Sequence, residues 1–134
     1  MAYDQVNLLA AARAARANAY APYSHFSVGA ALLARDGRVF RGANVENASY
    51  GLSMCAERVA VFAAVAAGAL AFEAIAVVGP DRTATMPCGA CRQVLIEFGP
   101  TLAVITQADG VAETQSIAAL LPAAFSPLTL EDAR

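Results

Sequence analysis

Apolar positions recur along this chain in blocks whose spacing changes from helical to extended and back. Residues 4–19 are rich in Ala, Leu and Arg with no Gly or Pro. They predict a helix in which Val6, Leu9, Ala10 and Ala17 share a face and which Pro22 ends. Residues 26–34 and 39–43 read as strands joined by Arg35-Asp36-Gly37-Arg38, whose Asp-Gly step is a hairpin signal. Residues 44–53 form a polar loop, the kind of segment that carries function at the end of a scaffold. A second helix is expected from about Cys55, with Ser53 as its N-cap. Its apolar face is expected at Val59, Phe62, Ala63 and Ala66, and its end near Gly68. Residues 74–78 are short and nearly all apolar, as in a buried central strand that Gly79-Pro80 ends. Pro87 opens a third helix with Val94, Leu95 and Phe98 as its apolar face, and Gly99-Pro100 closes it. Strands over 102–106 and 111–114 about an Asp109-Gly110 turn, then a short helix over 116–121, lead to a tail that holds Phe125. A helix, a hairpin, then helices alternating with strands imply an α/β fold: a three-layer α/β/α domain over 1–134 with a mixed sheet of about five strands.

Composition narrows the function. The 134 residues suit one domain with a real core. The formal charge is -2, there is no lysine, and the arginines are scattered without a run. A nucleic-acid partner, which would call for a basic stripe, is not expected. Neither is a membrane: the start has no basic segment followed by an apolar one, and the apolar run over 59–72 is shorter than the roughly 20 residues a span requires. A cytoplasmic protein is the expectation. The 58% hydrophobic content has two readings, an alanine bias or apolar surface buried against other subunits.

The chemistry lies with the cysteines. All three fall in two segments, Cys55-Ala56-Glu57-Arg58 and Pro87-Cys88-Gly89-Ala90-Cys91-Arg92. An odd number with a C-x-x-C pair reads as metal or redox chemistry rather than a disulfide framework. Three thiolates from two helix N-termini suit a tetrahedral Zn²⁺ whose fourth position stays open to activate water. Three thiolates leave that centre at a net charge of -1, which works against deprotonating the water. Two helix dipoles and Arg58 can offset the excess, and Arg92 is a second candidate. Glu57, two residues after Cys55, is placed to shuttle a proton. A structural zinc would need His25 as fourth ligand, and a redox pair would need neither Cys55 nor Glu57.

These segments resemble the small homotetrameric zinc-dependent cytidine deaminases. Further matches are Ala21-Pro22-Tyr23-Ser24, Phe26-Ser27-Val28-Gly29-Ala30-Ala31, Asn44-Val45-Glu46-Asn47-Ala48-Ser49-Tyr50 and Leu120-Leu121-Pro122-Ala123-Ala124-Phe125. The resemblance implies hydrolytic deamination of cytidine and deoxycytidine in pyrimidine salvage. It implies that Cys55, Cys88 and Cys91 bind zinc, and that Glu57 moves the proton of the bound water to N3 of the base. It further implies that Asn44 and Glu46 hold the ribose 3′-hydroxyl, that Phe26 lines the base pocket, and that the Ala56 backbone contacts the base. Tyr50 would lie near the nucleoside and Phe125 would reach into a neighbouring subunit's site. A related enzyme acting on another aminopyrimidine nucleoside, such as blasticidin S, shares both cysteine segments and is the alternative.

Overall fold

The structure, a computed structural model, describes residues 3–131; residues 1–2 and 132–134 of the expected 1–134 domain lie outside the described residues. Five strands form one sheet: β1 (Gly29–Ala34), β2 (Val39–Ala43), β3 (Phe72–Val78), β4 (Ala103–Ala108) and β5 (Val111–Ser116). Their order is β2-β1-β3-β4-β5. Only β3 and β4 run parallel, so the sheet is mixed. A parallel pair needs a crossover, and here α3 (Gly89–Ile96) supplies it.

Side chains that alternate along the central strands β1, β3 and β4 sort into two cores. Ala31, Ala74, Ala76, Val78 and Ile105 pack under Leu8, Leu9 and Ala12 of α1 (Gln5–Arg16). Their neighbours Ala30, Leu32, Ile75, Val77 and Val104 face α2 (Ala56–Ala66), α3 and α4 (Ile117–Leu120), through residues such as Ala60, Val61, Leu95 and Ile117. The two-residue period of a strand therefore produces three layers, and β3, buried on both faces, is the near-continuous apolar run that such a position requires.

Two glycines let helices lie directly on the sheet. A Cβ at Gly42 would stand 2.2 Å from the Ala56 carbonyl oxygen and 2.6 Å from the Ala60 nitrogen. One at Gly29 would stand 2.0 Å from the Ala12 oxygen and 2.5 Å from the Arg16 nitrogen. This close approach reverses the expected face of α2. Small residues, Ala56, Ala60 and Ala64, point inward with Glu57 and Val61, while Phe62, Ala63 and Ala66 are exposed and Val59 is half-buried. The expected N-cap is also corrected. Cys55 occupies that position, and Ser53 ends a 3₁₀ turn over Tyr50–Leu52 that the polar loop did not reveal. The last helix, α5 (Pro127–Glu131), was not expected either.

In the register of the sheet, Gly29 pairs with both Ala43 and Val78. The row marks the sheet end from which the 26–28 segment, the 44–55 loop and the 79–88 loop all leave. No helix among the described residues is long and apolar enough to cross a membrane.

Candidate active site

Cys55 and Cys88 are the N-caps of α2 and α3, both in extended conformation and neither using its side chain as a cap. Cys91 follows one turn into α3, on the side that faces α2. The three sulfurs lie within 4.8 Å of one another, with Cys55 and Cys88 at 3.7 Å. Sulfurs around a tetrahedral zinc, each at about 2.3 Å from the metal, stand about 3.8 Å apart, so this donor set fits that ion. Cys91 is buried, Cys55 half-buried and Cys88 exposed, leaving the cluster open on one side. Neither His25, the one histidine of the chain, nor any Asp or Glu joins it among the described residues. The fourth ligand of a closed structural site is therefore not supplied here.

The two arginines differ sharply. Arg58 Nη2 donates to Cys55 Sγ at 3.3 Å, while its buried Nε–H has no acceptor among the described residues. Arg92 instead donates to the carbonyl oxygens of Pro87, at 2.7 Å through Nε, and Leu120, at 2.9 Å through Nη1. Of the two, only Arg58 places its guanidinium against a sulfur, and Arg92 ties the Cys88 loop to α4. The Cys55 thiol is pulled down to about 5 by the Cys91 thiol first, then by Arg58 and Cys88. Cys91 is pushed up by its hydrogen bond to Cys55 and by burial. Thiols give up their protons on binding zinc, so a dication between these sulfurs would hold all three as thiolates.

Glu57 is only 4% exposed. Among the described residues the one ion pair is the exposed Arg38–Asp36 contact, so Glu57 has no salt-bridge partner. Burial pushes its carboxyl up, and its own backbone N–H, Cys91 and Arg58 pull only partly against this. A buried carboxyl that takes up a proton easily suits a shuttle. Ala56, which precedes it, is wholly buried in the first turn of α2.

The remaining expected residues separate into two groups. Asn44 donates from Nδ2 to the Phe26 oxygen and accepts at Oδ1 from the Val28 nitrogen, both at 2.8 Å. Glu46 accepts from the backbone N–H groups of Tyr23 and Ser24 at 3.0 and 3.1 Å and from the Ser24 hydroxyl. The Ser24 hydroxyl, then the backbone N–H groups, hold its carboxyl below the usual range. Glu46 lines a cavity of ≈ 270 Å³ with Tyr23, Ser24, Tyr50 and Ser53, in which the rings of Tyr23 and Tyr50 meet edge to face at 5.8 Å. Phe26 faces the 80–86 loop across a cleft of ≈ 450 Å³. Sequence reasoning missed Tyr23 and Ser24 as partners of Glu46; the Ala-Pro-Tyr-Ser turn was the available signal.

Phe125 stands apart. Its carbonyl accepts from Gln93 Nε2 at 2.8 Å, and its exposed ring borders a groove of ≈ 780 Å³ with Phe62, Val65, Val94 and Phe98. This groove is the largest concavity described, yet none of the cysteines lines it.

The family model for the cytidine and deoxycytidylate deaminase zinc-binding region matches residues 3–107. A cytidine deaminase of Sporosarcina psychrophila is 48% identical over 125 residues, 92% of each chain. The crystal structure of a cytidine deaminase from Burkholderia pseudomallei is 56% identical, covers 92% of this chain and 100% of that one, and superposes with a TM-score of 0.88. One from Mycobacterium leprae is 46% identical over 90% of this chain and 98% of that one, with a TM-score of 0.79. With its sulfur cluster, its sheet order and these likenesses, the chain belongs to the zinc-binding cytidine and deoxycytidylate deaminase family.

Proposed function

We propose that this chain hydrolyses the C4–N bond of cytidine and deoxycytidine, giving uridine or deoxyuridine and ammonia, with a zinc ion held by Cys55, Cys88 and Cys91. One observation carries the reading: a buried carboxyl, Glu57, beside three converging sulfurs that no fourth protein ligand closes among the described residues. Zinc in such a site supplies Lewis acidity that brings the pKa of a coordinated water to about 7.

Glu57 takes one proton from the attacking water and gives it to N3 of the base. The water oxygen bonds to C4, and the second proton passes by way of Glu57 to the departing amine, which leaves as ammonia. The C4 carbonyl then forms and all atoms balance. Arg58 offsets the charge of the sulfurs from 3.3 Å. Phe26 walls the base pocket and the Ala56 backbone contacts the base. Asn44 and Glu46 hold the 3′-hydroxyl, which both sugars carry. Glu46 suits this because its depressed pKa keeps it an acceptor at neutral pH. Tyr50 closes the sugar side, where its ring already lines the Glu46 cavity.

The exposed apolar face of α2 and the groove at Phe125 support a homotetramer in which Phe125 of one subunit completes a neighbour's site. A role in cytoplasmic pyrimidine salvage by a single domain over 1–134 completes the proposal. Metal analysis should find one zinc per chain, and the ultraviolet spectrum of cytidine should change to that of uridine. Bound zinc with no turnover of either nucleoside would overturn the assignment.

A further inference from the structure

Residues 26–28 lie just before the sheet ladder, whose first pair in β1 is Gly29 with Ala43. Their backbone groups must therefore find partners elsewhere. Phe26 N–H donates to Ser24 Oγ at 3.0 Å and the Phe26 oxygen accepts from Asn44 Nδ2. Val28 N–H donates to Asn44 Oδ1, and the Val28 oxygen accepts from the Asn44 nitrogen at 3.2 Å. The remaining carbonyl, that of Ser27, accepts from Arg16 Nε at 2.7 Å.

Arg16 belongs to the last turn of α1, on the face of the sheet opposite the cysteine helices. Its depth is fixed by backbone contact, because Gly29 leaves no room for a Cβ beneath its nitrogen. No carboxylate pairs with Arg16 among the described residues, so its guanidinium is free to make a charge-assisted hydrogen bond to a carbonyl. The turn before the segment passes through His25 at φ 58, a conformation that non-glycine residues seldom adopt. Local preference does not hold this segment in place; side chains from three directions do.

We propose that Arg16 is a positioning residue for substrate recognition. Through its bond to the Ser27 carbonyl it sets the height of the adjacent Phe26 ring over the base, and so sets KM. The inference rests on the reading above that Phe26 walls the base pocket.

Two side chains of similar length separate this role from a purely structural one. Glutamine places an N–H donor where Arg16 has Nε, whereas methionine places a methyl group there. Both remove the charge near the C-terminus of α1, so any loss of thermal stability from the helix dipole is shared by both. Arg16→Met should raise KM for cytidine about five- to tenfold with kcat within about twofold of the wild type, whereas Arg16→Gln should keep KM within about twofold. Zinc content should be full in both. Unchanged KM in the methionine variant, or equal rises in the two variants, overturns the proposal. If the methionine variant does not fold, Arg16→Ala replaces it: the same rise in KM supports the role, and a wild-type KM overturns it. A zinc-loaded wild-type protein that turns over neither nucleoside overturns instead the function on which the proposal rests.

Discussion

In α2 the cysteine at the N-cap is followed by Ala56, Glu57 and Arg58; in α3 the cysteine at the same position is followed by Gly89, Ala90 and Cys91, with Arg92 one place later. The α2 turn holds a buried carboxyl and aims its arginine at a sulfur. The α3 turn holds a second sulfur and aims its arginine at two carbonyls. Two helix starts that look alike thus differ in what they present: one a buried carboxyl and an arginine turned to a sulfur, the other a second sulfur and an arginine that anchors its own loop. An arginine next to a ligand acquires its role from where its guanidinium points, not from its neighbour in sequence.

Substitutions can break or sharpen this division. The largest effect is expected for Glu57→Gln. Ala90 occupies the equivalent place in α3, so nothing there can take over, and kcat should fall about 10³-fold with zinc retained. Turnover and metal content measured on one preparation would check this; substantial residual activity would move the proton path elsewhere. Arg58→Gln should keep zinc and lower kcat about tenfold, because one of several positive contributions at the sulfurs is removed. If turnover is unchanged, the helix dipoles alone carry the compensation. The smallest effect on turnover is expected for Arg92→Gln. It keeps an N–H donor where Nε faces Pro87 but loses the Nη1 bond to Leu120 and the charge, so unfolding in denaturant should show a loss of about 1–2 kcal/mol with kcat within a few-fold of the wild type. An activity loss equal to that of Arg58→Gln would erase the distinction between the two turns.

Much of this arrangement was legible before the structure. The Asp36-Gly37 hairpin, the apolar β3 run and the Ser116–Leu121 helix carry local signals, and zinc chemistry needs the three cysteines whatever the fold. The face of α2 was not legible. In an alanine-rich helix, apolar positions surround the axis, and the larger Val59 and Phe62 stripe looked like the core. Only the contact with Gly42 shows that the sheet side demands the smaller residues. The N-cap was misread because Ser53 has the better capping side chain, while the backbone turns helical only after Cys55. The different aims of Arg58 and Arg92, and the reach of Arg16 to Ser27, depend on tertiary distance, which no spacing encodes.

The strand pairing also has a consequence for the order of events in folding. Cys55 follows the β1–β2 hairpin, a local element, whereas Cys88 and Cys91 follow β3. The two parts meet through the long-range pairing that runs from Ala34 with Phe72 to Gly29 with Val78. Such pairing is slow, because a long loop must close before its contacts are gained. The placement that brings all three sulfurs within 4.8 Å of one another therefore belongs to a chain whose sheet has found its register.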